Sequence, residues 1–208
     1  ANAINMYIDR DIDKLMVRTQ NRPLVTGALT PRAAMIFAIA LEIVAFLVLW
    51  AGANLLAAVL AVSATLFYVF VYSLWLKRTS KQNIVIGGAA GAMPVLVGWA
   101  AVTNSLGWAP VVLFIVIFLW TPPHFWALAI RHADAYKAAG VPMMPVVVSL
   151  ERTVRSMTIY AVLLTLSTLV LVPVAELGWI YGITALVFGV AFVIGSVRLG
   201  SDPSPKRS

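Results

Sequence analysis

The chain has 208 residues, of which 62% are hydrophobic and only 11% charged, with a mean hydropathy of +0.94 and a net charge of +7. A soluble domain carries about 45–50% apolar and about 25% charged residues, so one water-surrounded core cannot absorb this excess and a bilayer must. There is no cysteine, which excludes disulfides and thiolate metal sites.

Taken in chain order, the first 13 residues read as the polar end of an earlier helix. The chain does not begin with Met and opens on a polar motif, so a missing N-terminus is expected. Six apolar stretches of bilayer length follow, at about 33–50, 54–75, 83–102, 109–130, 156–175 and 179–197. Short breaks rich in Asn and Gly separate several of them: Gly52-Ala53-Asn54, Thr103 to Gly107, and Glu176-Leu177-Gly178. The expected fold is an all-α polytopic membrane bundle around a central cavity, in a single domain over 1–208.

All 15 Lys and Arg residues fall on alternate connections, from Arg10 to Arg32, at Lys77 to Lys81, from Arg131 to Arg155, and in the tail from Arg198 to Arg207. By the positive-inside rule these connections are cytoplasmic. The charge is thus a topology signal, and charges dispersed between spans argue against nucleic acid as a partner. Two of the basic connections, 9–32 and 131–155, are longer than a helix link needs, which is where function tends to sit. Both mix acidic and basic residues after a helix end, but the match is too poor to assert a repeat.

Five constellations carry chemistry. Asn5, Asp9 and Asp13 recur at i, i+4, i+8. On a helix they share one face, about 6 Å apart per step, whereas Asp11 points away. Stacked oxygens of this kind suit Mg²⁺, which takes carboxylates together with substrate phosphate. A solvated helix end paired to Arg10 and Lys14 is the plain alternative. Arg18 and Arg22 follow at once, and arginine forks bind phosphate in a bidentate way. Tyr72 to Arg78 reads, taken alone, as an interfacial anchor with basic flanks.

Trp120-Thr121-Pro122-Pro123-His124-Phe125-Trp126 places two prolines and a histidine inside a span, which predicts a kinked helix. His124 lies about 10 Å before Arg131, and an ionisable residue at that depth is functional by default. A histidine hydrogen-bonded between helices is the competing reading. The fifth segment, Arg131 to Pro145, begins at a helix end, with Asp134 as its one carboxylate and Lys137 able to meet phosphate. Glu42, mid-span, reads as a neutral, hydrogen-bonded acid.

Together these residues resemble the intramembrane prenyltransferase superfamily typified by 4-hydroxybenzoate polyprenyltransferase. Asn5-x-x-x-Asp9-x-x-x-Asp13 with Arg18-Thr-x-x-Arg22-Pro-Leu resembles its first Asp-rich motif. Tyr72 to Arg78, Thr121-Pro-Pro-His-Phe-Trp and Tyr136-Lys-Ala-Ala-Gly-Val-Pro-Met-Met-Pro are similar to the branch that farnesylates protoheme IX to give heme O. The resemblance covers nearly the whole chain. It implies nine transmembrane helices, so a domain truncated at both ends, with six full spans here. It implies transfer of a farnesyl group from farnesyl diphosphate to a vinyl of heme B, with water added, Mg²⁺ as cofactor, and a downstream heme A synthase or terminal oxidase assembly as recipient.

On that reading Asp9, Asp13, Arg22 and Lys77 are catalytic. Asn5, Arg18, Arg78, His124, Asp134, Tyr136 and Lys137 bind substrate, His124 through iron or a propionate. The metal ligands are Asn5, Asp9, Asp13 and Asp134. The second acidic motif of the superfamily is reduced here to Asp134, beside His132 and Tyr136. A prenyltransferase with a phenolic or quinone-precursor acceptor would share the Asp motif without calling for the Pro-Pro-His-Phe-Trp segment. A non-enzymatic heme-handling protein would explain spans and histidine, but not clustered Asp and Arg at one face.

Overall fold

The computed structural model describes residues 1–201 and side-chain exposure through residue 199; Lys206 and Arg207 of the basic tail lie outside it. Two short helices, α1 (Asn2–Ile8) and α2 (Arg10–Leu15), lead through the one-turn α3 (Pro23–Thr26) to the first long helix, α4 (Pro31–Gly52). Pro31 suits the first helical position, and the preceding Thr30 hydroxyl accepts the Ala33 N–H at 3.2 Å. α5 (Leu55–Leu66) runs without interruption into a π-helical segment (Phe67–Leu76) and α6 (Lys77–Thr79). Then come α7 (Asn83–Thr103), α8 (Trp108–Arg131), the short α9 (Ala133–Ala138) and α10 (Met144–Val147), α11 (Leu150–Val174) and α12 (Trp179–Ser201).

Six helices are long and apolar enough to cross a membrane, and their bounds follow the six apolar stretches. They pack in chain order, α4 on α5, α5 on α7, α7 on α8, α8 on α11 and α11 on α12. Their contacts use small residues: Ala57, Ala58, Ala92, Ala100 and Ala161 have no exposed surface. In lipid, where apolar burial drives little, small residues let helix backbones approach closely. Large apolar side chains such as Phe37, Trp50, Phe70 and Phe188 point outward instead, as a hydrocarbon solvent permits. At the end away from the basic loops, Asn54 caps α5 by accepting the Ala57 N–H at 2.9 Å and donates to Ala100 O at 2.6 Å. One side chain thereby starts one span and ties it to the end of another.

Three sequence expectations change. The helix over Asn5 to Asp13 is not uniform, because the backbone loosens at Asp9 (φ −90°, ψ 10°). The double proline does not break α8. The assignment is helical from Trp108 to Arg131, with Thr121, Pro122 and Pro123 all buried. The prolines lack N–H donors to Phe118 and Leu119, yet their φ is compatible with a helix, and packing around them keeps the rod intact. The connection expected over 131–155 is shorter, since α11 begins at Leu150, where Ser149 accepts the Arg152 N–H at 3.4 Å. A helix need not stop where the apolar stretch stops, and its polar first turns extend beyond the membrane-length segment.

The core that positions the basic end joins α2, α7, α8 and the turn after α9. Ile12, Met16, Ile84, Ala129, Val141 and Met143 form one buried cluster, with Tyr72 and Tyr136 packed against it.

Candidate active site

Asn5, Asp9 and Asp13 stay on one face despite the loosened backbone. The Asp9 N–H still donates to Asn5 O at 2.9 Å and the Asp13 N–H to Asp9 O at 2.8 Å, so the helical step is kept across the junction. Asp9 has no exposed surface and Asp13 only 4%. Buried carboxylates are costly unless paired, and each has a cation. Lys77 donates to Asp9 Oδ2, and Arg22 Nη1 donates to Asp13 Oδ2 at 2.7 Å. Arg22 returns to the helix it follows because residues 16–22 fold into a tight turn. Within it the Gln20 N–H meets Met16 O at 3.0 Å and the buried Thr19 hydroxyl donates to Asp13 O at 3.0 Å.

The π segment supplies the facing wall. Ser73, fully buried, has its hydroxyl 3.0 Å from both Asn5 Oδ1 and Tyr68 O, which share its single proton. A π turn holds more residues than an α turn, and such segments recur at functional sites. Here it sets Ser73 and Lys77 toward α1 and α2. Asn83, at the start of α7, is fully buried and donates to Lys77 O at 3.4 Å. Ser73, Thr19 and Asn83 are absent from the sequence-derived site. Thr19 and Ser73 fall inside the quoted motifs, but a hydroxyl or amide carries no charge to single it out, and burial is what marks all three.

These elements enclose a polar cavity of about 160 Å³, lined among others by Asn5, Asp13, Arg18, Arg22, Lys77 and Tyr136. Its walls Tyr72, Ile84 and Phe125 are shared with an apolar pocket of about 400 Å³, which descends between α5, the π segment, α7 and α8 past Tyr68, Gly88, Gly91 and Trp120. Glycine is required at position 87, where a Cβ would overlap the Tyr72 ring. The site is therefore a charged mouth at the basic end over an apolar shaft between the spans.

The structure brings together six of the sequence-predicted residues in or beside this mouth: Asn5, Asp9, Asp13, Arg22, Lys77 and Tyr136, with the exposed Arg18 at its rim. It places others elsewhere. Arg78 forms a fork on Asp11 at 2.6 and 2.7 Å, on the opposite face of α2, and only its Nη2 approaches Asp9, at 3.8 Å. That hydrogen-bonded guanidinium holds the Asp11 carboxyl at about 2, below its usual 3.8. Asp134 and Lys137 are exposed on α9 and do not line the mouth. His124 stacks on Trp120 (4.2 Å between centroids) and meets Phe125 edge-on (5.3 Å). It stands beside the apolar pocket rather than on its wall. Glu42 accepts from Thr65 at 3.3 Å, as expected for a hydrogen-bonded mid-span acid.

Among the described residues no three His, Asp or Glu side chains converge as a metal cluster. The oxygen donors that share one face here are those of Asp9, Asp13 and Asn5. Asp9 Oδ1 is buried without a hydrogen-bond partner, an orphaned oxygen of the type Mg²⁺ takes alongside phosphate oxygens and water. The donor set fits that ion in chemistry.

The sequence profile described as the UbiA prenyltransferase family matches residues 1–208. The chain is 54% identical over 207 residues to the protoheme IX farnesyltransferase of Gloeobacter violaceus, covering all of this chain and 68% of that protein. It is 53% identical over 201 residues to that of a Parafrankia species, covering 97% and 64%. It is 50% identical over 213 residues to that of Frankia casuarinae, covering 100% and 74%. The chain thus spans about two thirds of the length of these relatives. No solved structure matches it.

Proposed function

The chain belongs to the UbiA prenyltransferase family, and from that premise we propose that it transfers the farnesyl group of farnesyl diphosphate to a vinyl group of heme B, with addition of water, giving heme O and pyrophosphate. The observation that carries this reading is the polar mouth of Asp13, Arg22 and Lys77 set directly over an apolar shaft, with Tyr72, Ile84 and Phe125 common to both. A prenyl diphosphate has the same division, a multiply charged head on a hydrocarbon tail. The relatives' name supports heme as the acceptor.

Arg22, Lys77 and Arg18 receive the diphosphate as positive charge held in place before substrate arrives. Asp13 and Asp9 keep Arg22 and Lys77 extended into the mouth, so little reorganisation is needed as charge develops on the leaving group. Asp9, Asp13 and Asn5 would hold Mg²⁺, which when bound neutralises part of the diphosphate charge. As the carbon–oxygen bond breaks, the diphosphate keeps the electron pair and the farnesyl carbon becomes an allylic cation. Tyr68, Tyr72, Phe125 and Trp120 present aromatic surface to the shaft, which stabilises such a cation and keeps water away until the new carbon–carbon bond has formed. The vinyl group forms the new carbon–carbon bond, and one water captures the resulting cation with loss of a proton. His124, beside the shaft, contacts the heme through iron or a propionate. Tyr136 lines the mouth, and Asp134 and Lys137 stand on the same short helix as further contacts for the substrate.

The basic end is cytoplasmic in this reading, in a bacterial inner membrane, and residues 1–208 belong to one prenyltransferase domain. Heme O passes to a heme A synthase or a terminal oxidase assembly. The test is consumption of farnesyl diphosphate by purified full-length protein in detergent or vesicles. Turnover that requires heme B and yields heme O upholds the proposal. Turnover with 4-hydroxybenzoate and none with heme B would replace it with a phenolic acceptor.

A further inference from the structure

A second cleft, of about 610 Å³, lies at the basic end on the face of α2 that turns away from Asp9 and Asp13. Arg10, Asp11, Lys14 and Arg78 line it, together with apolar side chains that include Leu24, Val25 and Leu74. It shares no lining residue with the polar mouth. Arg78 spends its fork on Asp11, which cancels one charge of each sign. Arg10 and Lys14 remain, one helical turn apart, with no carboxylate partner among the described residues. Arg10 is also fixed in direction, with Nε donating to Tyr7 O at 2.8 Å and the guanidinium lying 4.2 Å over the Tyr7 ring.

The surroundings give the cleft its polarity. Leu74 is half exposed and the neighbouring Trp75 is 62% exposed, on the outer surface of a membrane-length helix. Leu15 and Val17, next to Lys14, are likewise exposed. Two unpaired cations therefore line a cleft with Leu74, the chain neighbour of the exposed Trp75 on a membrane-length helix. Basic pockets between helices at the cytoplasmic side suit lipid head groups. A zwitterionic head group would bring its own cation into the cleft, where Asp11, the carboxylate there, is already taken by Arg78.

We propose that this cleft binds the phosphodiester head group of an anionic phospholipid, with Arg10 and Lys14 on the phosphate and Leu24, Val25 and Leu74 along the acyl chains. The bound lipid presses on the outer face of α2, whose inner face carries Asp13, and so steadies the acidic helix from behind.

The experiment titrates detergent-purified full-length protein with dioleoylphosphatidylglycerol, dioleoylphosphatidylcholine or inorganic phosphate, reading bound lipid by native mass spectrometry and the melting temperature in parallel. Phosphatidylglycerol is expected to bind and raise the melting temperature, phosphatidylcholine to do neither. Arg10→Gln/Lys14→Gln should weaken phosphatidylglycerol binding about 30-fold, since each surface cation contributes about fivefold. Arg10→Lys/Lys14→Arg should retain it, and so should Lys81→Gln, which removes a charge from the same end outside the cleft. Should the double variant fold poorly, each single variant should still lose about fivefold. Unchanged phosphatidylglycerol affinity in the Gln variants, or equal binding of phosphatidylcholine, overturns the proposal. The same rise in melting temperature with inorganic phosphate overturns it in favour of a small-anion site.

Discussion

The hydroxyl of Ser73 donates to Oδ1 of Asn5 at 3.0 Å, joining the π segment to the acidic helix across 68 residues of sequence. The bond leaves Asn5 with its amide oxygen directed by a fully buried partner, and it fixes the spacing between the wall that carries Lys77 and the wall that carries Asp9 and Asp13. Ser73→Ala removes one such bond, which costs about 1 kcal/mol. We expect KM for farnesyl diphosphate to rise several-fold with a small loss of thermal stability. Steady-state kinetics beside a melting curve checks this, and an unaltered KM would show that Asn5 needs no such partner.

Asp9→Asn and Asp13→Asn should abolish turnover in protein that still inserts into the membrane. Each leaves a cation in or beside the mouth without its buried counter-charge, a change worth about 3–5 kcal/mol, and each removes an anionic oxygen from the proposed Mg²⁺ donors. Asp11→Asn should be mild, because Asp11 is 64% exposed and an exposed pair contributes about 1 kcal/mol or less. Equal loss of activity in all three, at equal expression, would contradict the two-faced arrangement of α2.

Acid should separate Asp11 from its neutral variant in one direction. Its carboxyl titrates at about 2 in the folded chain against 3.8 ordinarily, so its pair with Arg78 stabilises fully above pH 3.8. That contribution is lost as pH falls toward 2. Melting curves of the parent and of Asp11→Asn should differ by a constant small amount down to about pH 4 and converge below it. A gap that widens on acidification would reverse the sign.

Labelling tests the orientation. The chain has no cysteine, so a single introduced thiol reports without background. Cysteine at Asn104 or Gly178 should react with an impermeant maleimide added from the periplasmic side, and cysteine at Ser80 only after the membrane is opened. The inverse pattern would place the polar mouth outside the cell.

His124→Ala should weaken heme B binding far more than farnesyl diphosphate binding, because His124 stands outside the wall of the apolar shaft and away from the mouth, where the diphosphate contacts lie. Paired affinity measurements with a melting temperature decide the matter. If both ligands weaken alike and the protein melts earlier by the equivalent of about 1–2 kcal/mol, His124 is a packing residue.

Sequence alone determined the number of spans, their direction relative to the basic loops, and the identity of the acidic face. Those properties follow from one-dimensional quantities: the length of an apolar run, the side on which Lys and Arg fall, and the 3.6-residue period that stacks Asn5, Asp9 and Asp13. The tertiary structure decided which cation meets which carboxylate. Lys77 and Arg78 are adjacent in sequence and look alike there, yet Lys77 reaches Asp9 inside the mouth and Arg78 forks onto Asp11 behind it. Successive residues on a helix leave it about 100° apart, and the docking of the π segment against α1 and α2 selects which of them points inward. The same docking buries Ser73, which no spacing could single out. Packing likewise carries α8 unbroken through Pro122 and Pro123, both buried on the face that meets its neighbours, although local chemistry counts the missing N–H donors against it.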